Sequence, residues 1–203
     1  MAWSYSPNSE EALRLLSLPL PPTKPSIEQA CKTFIDFGVG LGGAGWVIIR
    51  SGELGAFVAC RSQPGRWIDP YWTTDEHVVD VTGKFLHGHL SVQTLWLTCS
   101  VALAYGCLGA GNSFLGGLAA GLTLRDGDVY EGTCSHCQHH VRIHVQIQAT
   151  FFATISASYT IEQHGLPRIT RSSSDLLREE WNDDSPWRRL QELKARYSKN
   201  DRN

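Results

Sequence analysis

A long segment without formal charge limits what this chain can fold into more than any other feature. No Asp, Glu, Lys or Arg occurs between Lys84 and Arg125, whereas the chain beyond Arg171 is strongly charged. A single globular domain rarely shows two such abrupt changes in the frequency of charged residues along its sequence. We therefore interpret the chain as one domain over residues 1–170 and a charged C-terminal extension over residues 171–203 that carries one amphipathic helix.

The most apolar part of this segment, Leu90–Leu108, raises the question of a membrane span. Its Ser, Thr, Gln and Gly residues dilute the free energy of insertion, so a membrane protein is not favoured. The first residues, Met1–Pro7, lack the basic start and apolar run of a signal peptide. We expect a cytoplasmic protein whose six Cys remain thiols, with Cys31 and Cys60 in the core.

The balance of charge argues against nucleic acid as a partner. The formal net charge is −2, and the longest run of basic residues is the pair Arg188-Arg189. A surface that follows phosphate groups along a nucleic acid needs clustered positive charge, which this sequence does not provide.

Hydrophobic periodicity predicts an α/β domain around a mostly parallel sheet. The predicted elements are helices over 9–16 and 26–37, strands over 46–50, 56–60, 67–68 and 78–80, and helices over 111–122, 149–163 and from 186 onward. Trp46–Arg50 is continuously apolar up to its last residue, as a strand buried on both faces is. Ser26 is expected to cap the second helix, and the small residues of 111–122 suit a helix that packs closely on the sheet.

Asn8 and Glu11 stand one helical turn apart at the predicted start of the first helix. Their amide and carboxylate could hold a hydrated Mg²⁺ beside phosphate groups, because Mg²⁺ keeps most of its waters and takes few protein ligands. The same spacing also fits an N-cap followed by a favourable acidic residue in the first turn. The residues alone leave both interpretations open.

A strand, a tight turn with two glycines and a second strand follow one another from Arg50 to Ala56. Glycine lets a backbone approach a flat ligand such as a nucleotide without a side-chain clash. Arg50, Ser51, Gly52 and Gly55 are therefore candidate nucleotide-binding residues. An ordinary hairpin explains the same residues equally well.

A glycine-rich segment, Gly109-Ala110-Gly111-Asn112, is predicted to form a turn that opens a helix. Such a turn directs free backbone N–H groups and the positive end of the helix dipole at an anion. Thr82 and Gly83, which follow a short predicted strand, complete a candidate phosphate site. Its N–H groups would stabilise the charge that develops on a transferred phosphoryl group.

These segments, in this order, resemble a known family. Asp80-x-Thr82-Gly83, followed by Gly109–Gly117, resembles the second signature of the PfkB, or ribokinase, family of carbohydrate kinases. The Asn8-x-x-Glu11 pair lies upstream as it does in that family, and Ser51-Gly52-x-x-Gly55 resembles the family's nucleotide-contacting strand pair. The likeness covers roughly residues 6–196, apart from two intervening stretches.

Two further segments, Glu162–Pro167 and Trp181-Asn182, are similar to a fungal branch of uncharacterised PfkB-like proteins. The resemblance implies a ribokinase-like three-layer α/β/α fold. It also implies transfer of a phosphoryl group from ATP, with Mg²⁺, to a hydroxyl of a sugar or nucleoside-like small molecule. In the family the second signature forms the anion hole, here Thr82, Gly83 and Gly109–Gly111, and it ends in the catalytic base.

The chain departs from the family pattern at two joints and at its start. Residues 84–109 separate the two parts of the second signature, and residues 132–148 interrupt a second segment that the family leaves continuous. Because these stretches hold most of the His and Cys but few charges, we interpret them as retained introns. The family's N-terminal half is missing. Without its sugar pocket and lid, this chain is expected to have weak or absent kinase activity.

Asn112 stands at the position of the family's catalytic base, which is usually Asp. An amide cannot take a proton from the substrate hydroxyl, and the loss of a general base typically costs about 10²–10⁴ in rate. The alternative is therefore a non-catalytic nucleotide-binding or interaction protein of the same fold. The sequence names neither the substrate nor the oligomeric state.

Cys134 and Cys137 lie close to four histidines, which together are residue types that bind zinc. The histidines are His136, His139, His140 and His144. A second Cys pair at fixed spacing is absent and the histidines are crowded, so the sequence leaves zinc open without predicting it.

Overall fold

The computed structural model describes residues 4–73, 107–128, 138–163, 167–170 and 179–200. The chain divides into two compact units. Met1–Pro70 together with Ala120–Phe151 forms the first, and Tyr71–Ala119 together with Phe152–Asn203 forms the second. The predicted strand over 78–80 lies outside the described residues.

The first unit contains a four-stranded sheet. Its strands are β1 (Ser4–Tyr5), β2 (Trp46–Arg50), β3 (Ala56–Cys60) and β4 (Gln63–Ile68), in the spatial order β1-β2-β3-β4. β1 runs parallel to β2, whereas β2 and β3 form one antiparallel pair and β3 and β4 form another. The α/β class is confirmed, but the described sheet is not mostly parallel. The reason is local, since short turns join β2, β3 and β4 as hairpins.

The two central strands are buried at nearly every position, from Trp46 to Ile49 in β2 and throughout β3. Arg50, at the end of β2, is the residue in these strands that remains partly exposed. Continuous burial is typical of strands covered on both faces, so the predicted buried strands are confirmed. This rigid centre holds Arg50 and the turn that follows it in place.

Two capped helices, α1 (Ser9–Leu15) and α2 (Lys24–Phe37), pack against this sheet. Thr23, and not Ser26, is the N-cap of α2. Ser26 is the third helical residue, and its hydroxyl accepts a hydrogen bond from the Thr23 backbone N at 2.9 Å. The helix begins earlier than predicted because Pro25 fits the first turn and Thr23 can cap it. The buried face of α2 is the predicted one, with Ile27, Ala30, Cys31 and Phe34.

Cys31 on α2 and Cys60 on β3 are buried free thiols, which confirms that they belong to the core. Burial, together with a smaller contribution from the nearby Cys60, raises the pKa of Cys31 to about 12. Cys31 is therefore a protonated, unreactive thiol at neutral pH.

Two long helices follow, α3 (Cys107–Asp128) and α4 (Gln138–Thr160). Their small residues allow a close approach. In the second unit a Cβ atom at Gly117 would lie 2.7 Å from the Phe152 carbonyl oxygen and 2.9 Å from the Ala153 Cα atom. These contacts are with a helix, whereas the sequence predicted a sheet as the partner. Small residues signal that something comes close, but not which element it is.

The second unit also holds a two-residue ladder of β5 (Ile169–Thr170) with β6 (Glu180–Trp181), and the helix α5 (Pro186–Asn200). The predicted start of α5 at Pro186 is confirmed. None of the helices that the structure describes combines the length and hydropathy needed to cross a bilayer. Residues 90–106 of the apolar segment lie outside the described residues.

Candidate functional site

Asn8 and Glu11 form a capping box at the start of α1. Asn8 Oδ1 accepts a hydrogen bond from the Glu11 backbone N at 2.8 Å, and Glu11 Oε2 accepts one from the Asn8 backbone N at 2.9 Å. These bonds satisfy two N–H groups that a helix start leaves without partners. The capping interpretation is confirmed. The Asn8 amide oxygen is therefore already used as a hydrogen-bond acceptor within the helix start. The Glu11 side chain is 59% exposed, so its carboxylate remains accessible to a hydrated cation.

Arg50 lies directly beside this capping box. Asn8 and Arg50 form an isolated parallel bridge, and the Arg50 backbone N donates to the Pro7 carbonyl oxygen at 3.1 Å. Arg50 Nη2 is 4.0 Å from Glu11 Oε2. The structure thus brings together two candidate segments, Asn8–Glu11 and the start of the glycine turn, that are far apart in the sequence.

The guanidinium of Arg50 is half-buried and incompletely paired. The side chain is only 18% exposed, and its Nε has no hydrogen-bond partner among the described residues. Burial lowers the pKa of Arg50, and the Glu11 carboxylate opposes that shift. A buried donor without a partner costs about 1–3 kcal/mol. Arg50 therefore keeps hydrogen-bonding capacity that an acceptor on a ligand could use.

The turn between β2 and β3 is closed by its own backbone. The Ser51 backbone N donates to the Gly55 carbonyl oxygen at 2.7 Å, and the Leu54 backbone N donates to the Ser51 carbonyl oxygen at 3.0 Å. Ser51 is buried, and its hydroxyl donates to the Ile49 carbonyl oxygen at 3.3 Å. Of the four candidate residues in this turn, Ser51 is thus the one whose side chain serves the hairpin.

The two glycines of the turn have different reasons for being glycine. Gly55 has a φ of 90°, and a Cβ atom there would collide with the Ile68 carbonyl oxygen, so the fold itself requires glycine. Gly52 has a φ of 55°, and a Cβ atom there would meet nothing within 4 Å. Open space at Gly52 is what close approach of a flat ligand to the backbone would need.

An open cleft of about 580 Å³ lies next to Glu11. Its lining consists of Tyr5, Ser6, Pro7, Glu11, Arg14 and Leu15. Arg14 was not predicted as a site residue. Its spacing of three residues from Glu11, which places both side chains on one face of α1, was the available signal. The cleft therefore offers a carboxylate and a guanidinium on the same helix face.

In the second unit, Gly109–Asn112 lies inside α3 and not in a turn before it. The helix begins at Cys107, so Gly109 and Ala110 belong to its first turn and Asn112 to its second. The segment does lie at the start of a helix, as predicted. Asn112 is exposed, so its amide is accessible to a ligand. Thr82 and Gly83, the other half of the candidate phosphate site, lie outside the described residues.

The first turns of α3 rest on the last turns of α4. A Cβ atom at Gly109 would lie 2.9 Å from Thr160 Cγ2, so the two helices come close here. One turn further along α3, the Ser113 Oγ lies 2.9 Å from the Ser156 Oγ and donates to the Ser156 carbonyl oxygen at 3.1 Å. The glycine motif therefore packs against the C-terminal end of α4.

A buried polar cluster around Arg189 in the second unit was not predicted. Arg189 Nε donates to Asp184 Oδ2 at 2.7 Å, and Arg189 Nη1 and Nη2 both donate to Glu162. The guanidinium carbon lies 3.6 Å from the centroid of the Tyr159 ring, and the side chain is 4% exposed. No local pattern signals this cluster, because Glu162 lies well upstream of Arg189 and only the fold brings them together.

Cys134, His136 and Cys137, the core of the candidate zinc cluster, lie outside the described residues. Within the part of the chain that the structure covers, no group of three His, Cys, Asp or Glu side chains is placed to hold a metal ion. Of the two stretches interpreted as inserts, residues 138–148 form the first part of α4, and residues 107–109 begin α3.

No family model matches the sequence. An uncharacterized protein of the fungus Schizosaccharomyces pombe is 30% identical over 194 residues, which are 93% of this chain and 43% of that protein. Ribokinase from Giardia lamblia superposes with a TM-score of 0.54 at 13% identity, over 96% of this chain and 44% of the enzyme. A putative sugar kinase from Clostridium perfringens gives 0.47 at 18% identity, over 95% of this chain and 40% of that protein.

The likeness to the Giardia ribokinase shows that the chain has a mixed α/β fold of ribokinase type. The chain spans less than half the length of the relatives that it matches.

Proposed function

We propose that this chain binds a nucleotide, ATP with Mg²⁺, as the nucleotide-holding part of a PfkB-type carbohydrate kinase. The reaction would transfer a phosphoryl group to a hydroxyl of a sugar or nucleoside-like small molecule, with weak or absent turnover by this chain alone. A cytoplasmic location belongs to the same proposal. The ribokinase-type fold supports it. The observation that carries it is the placement of the under-paired Arg50 guanidinium beside Glu11 and the Gly52 turn.

In this proposal Arg50 and the open backbone at Gly52 contact the nucleotide. A guanidinium offers five donors, and Arg50 has one buried donor without a partner among the described residues. Glycine at position 55 permits the close approach of the turn to the Ile68 carbonyl oxygen, and Gly52 is exposed in this turn. Ser51 contributes by fixing the turn, because its hydroxyl and its backbone N–H both bond within the hairpin.

The residues fit a water-mediated Mg²⁺ at Glu11 better than at Asn8. The Asn8 amide oxygen is occupied by the capping bond, whereas the Glu11 carboxylate is exposed and lines the cleft. Mg²⁺ usually keeps several waters and takes one or two carboxylates. When bound, it would neutralise phosphate charge. Without Mg²⁺, the positive charge nearest to the Glu11 carboxylate in this site is the Arg50 guanidinium, at 4.0 Å.

A phosphate-binding role is proposed separately for Thr82, Gly83, Gly109, Ala110 and Gly111 of the second unit. The start of α3 supports this assignment for Gly109, whose N–H is among those that a helix beginning at Cys107 leaves free, whereas the N–H groups of Ala110 and Gly111 lie within the helical ladder. Asn112 is exposed and can orient a hydroxyl or a phosphate by hydrogen bonding. It cannot accept the substrate proton, so turnover is expected to be slow.

Isothermal titration calorimetry with Mg·ATP tests the proposal. We expect Arg50→Met to weaken binding about tenfold, equivalent to about 1.4 kcal/mol. Arg61→Met is the matched control, since Arg61 lies in the turn after β3 and donates to the Ile35 carbonyl oxygen. Equal affinity of both variants would contradict the role of Arg50.

A phosphotransfer assay over a panel of sugars and nucleosides then separates the two function classes. Measurable transfer supports the kinase, and Mg·ATP binding without transfer supports a non-catalytic nucleotide-binding protein, which Asn112 at the position of the base favours. The absence of any nucleotide binding would contradict both.

A further inference from the structure

The helix α5 is fixed to the end of α4 by one buried side chain, Arg189. Its guanidinium is paired on one side with Asp184 and on the other with Glu162, the second residue after α4 ends. Arg189 Nη1 also donates to the Ser158 hydroxyl at 3.2 Å. Three of its neighbours, counting the ring of Tyr159, therefore lie in or just beyond the last turn of α4.

The aromatic surroundings of Arg189 complete this arrangement. The guanidinium carbon lies 3.6 Å from the centroid of Tyr159 and 5.1 Å from the centroids of both Tyr71 and Trp72. The Tyr159 hydroxyl donates to the Asp184 carbonyl oxygen at 3.2 Å, and Trp72 Nε1 donates to Glu162 Oε1 at 2.8 Å. Both partners of the arginine are thus held by further bonds, which makes the cluster a connected polar network.

The same turn of α4 supports the glycine motif of α3. Thr160 lies between Tyr159 and Glu162 in sequence, and its Cγ2 atom is the one that a Cβ atom at Gly109 would meet at 2.9 Å. The Thr160 hydroxyl donates to the Ser156 carbonyl oxygen, and Ser156 in turn accepts from Ser113 of α3. All these residues belong to the second unit.

We propose that Arg189 is a positioning residue for the phosphate-binding motif: it holds the last turn of α4 helical, and that turn supports Gly109. The expected effect on nucleotide affinity rests on the proposed function, whereas the structural role of Arg189 does not. The last turn of a helix frays easily unless it is held. Release of Arg189 would let this turn open and would remove the surface on which Gly109 rests.

Amide hydrogen exchange of the protein without nucleotide tests the structural part. In Arg189→Met, the amides of residues 157–160, in the last turn of α4, and those of residues 111–114 should exchange about tenfold faster, because an opening that costs about 1.4 kcal/mol less is about ten times more populated. The amides of β3, in the other unit, should not change. Arg188→Met is the matched control, because Arg188 also pairs with Asp184 but its side chain is 55% exposed. Unchanged exchange at 111–114, or equal acceleration in β3, would overturn the proposal.

If Arg189→Met does not fold, Arg189→Lys and Glu162→Gln take its place. Lysine keeps the charge but cannot reach two carboxylates in a fork. We expect an intermediate acceleration at 111–114 from Arg189→Lys and a comparable one from Glu162→Gln. Wild-type exchange rates in both variants would overturn the proposal.

The contact between Gly109 and Thr160 allows a rescue experiment on Mg·ATP affinity. Gly109→Ala should weaken binding about tenfold, because the new methyl group pushes against Thr160. Thr160→Ser removes the obstructing methyl and keeps the hydroxyl, so the double variant should recover most of the affinity. Gly116→Ala is the control in the same helix, since a Cβ atom there meets nothing within 4 Å.

The two experiments separate the two claims. Accelerated exchange together with no nucleotide binding by the wild type would leave the positioning role standing and overturn the proposed function. Nucleotide binding that is unaffected by Arg189→Lys and by Gly109→Ala would overturn the functional consequence of the positioning role.

Discussion

Arg50 is half-buried and Arg189 is buried; both have carboxylates nearby, but their surroundings differ. Arg50 approaches one carboxylate, that of Glu11, at 4.0 Å, and its Nε has no partner among the described residues. Arg189 donates to the two carboxylates of Glu162 and Asp184 and stacks on an aromatic ring. Burial lowers the pKa of Arg50. For Arg189, burial acts in the same direction, but the hydrogen bonds to Glu162 and Asp184 outweigh it and raise the pKa.

The difference separates a side chain available for binding from one that organises the fold. A buried cation with all its donors satisfied contributes to a fixed geometry, and losing it leaves carboxylates unpaired. A buried cation with a donor left over lowers stability slightly and gains when an acceptor arrives. Arg50 is thus expected to matter most for ligand affinity, and Arg189 most for folding and for the shape of its surroundings.

The largest expected effect on stability comes from replacing Arg189. Arg189→Met should lower the free energy of unfolding by about 3–5 kcal/mol, because it removes the cationic partner of the largely buried Glu162 and leaves Asp184 with Arg188 alone. Urea denaturation followed by tryptophan fluorescence measures this. Arg188→Met, at the exposed neighbouring position, should stay within about 1 kcal/mol of the wild type. Similar losses for the two variants would mean that Arg189 does not organise this unit.

A smaller effect, of about 1–3 kcal/mol at neutral pH, is expected from Asp184→Asn, which weakens the charged hydrogen bonds to Arg188 and Arg189. Burial by itself would raise the pKa of Asp184, but the hydrogen bonds from these arginines outweigh it and lower the pKa below its ordinary value. The stabilisation is therefore present above a pH of about 4, where the unfolded carboxyl is ionised, and is lost as the pH falls through the lowered value.

Denaturation of the wild type and Asp184→Asn between neutral pH and pH 2 checks this direction. The stability difference between the two proteins should shrink as the pH falls. A difference that stays constant over this range would show that the charge of Asp184 does not contribute.

Next in size is the capping box beside Arg50. Asn8→Ala should cost about 1 kcal/mol of stability, since it removes the acceptor for the Glu11 backbone N. Asn8→Asp keeps an acceptor and should cost little. Thermal denaturation measures both. If Asn8→Asp folds normally but changes the Mg²⁺ dependence of nucleotide binding, then Asn8 has a role near the metal as well as in the cap.

The smallest effect on stability is expected from Arg50→Met, within about 1 kcal/mol of the wild type. The ion pair to the exposed Glu11 is long, and the buried Nε makes no hydrogen bond among the described residues that the substitution would remove. The same variant is expected to lose nucleotide affinity. Urea denaturation and calorimetry on one preparation test both statements. A loss of stability as large as that of Arg189→Met would remove the distinction between the two arginines.

Much of the first unit could be predicted because its signals are local. The apolar run Trp46–Ile49, the spacing of Asn8 and Glu11, and the buried face of α2 follow from periods and capping rules that act over a few residues. The predicted start of α2 was wrong by a few residues, since Thr23 and Ser26 are both acceptable N-caps and the sequence does not show which of them is used.

The second unit was harder to predict because its signals are not local. The glycine motif was found, but its placement inside α3 and its contact with Thr160 were not. Small residues show that a close neighbour exists without identifying it. The Arg189 cluster was missed altogether, because an Arg-rich amphipathic helix such as α5 usually keeps its arginines in water.

The sequence by itself determined the α/β class and the central buried strands. Period and composition are sufficient for these, because burial and capping follow from neighbouring residues. Only the tertiary structure decided that Asn8 and Glu11 lie beside Arg50, and that Arg189 is buried between Glu162 and Asp184. The net contribution of a buried charge to stability depends on how completely protein groups replace the hydrogen bonds that it made with water. Those groups come from distant parts of the chain.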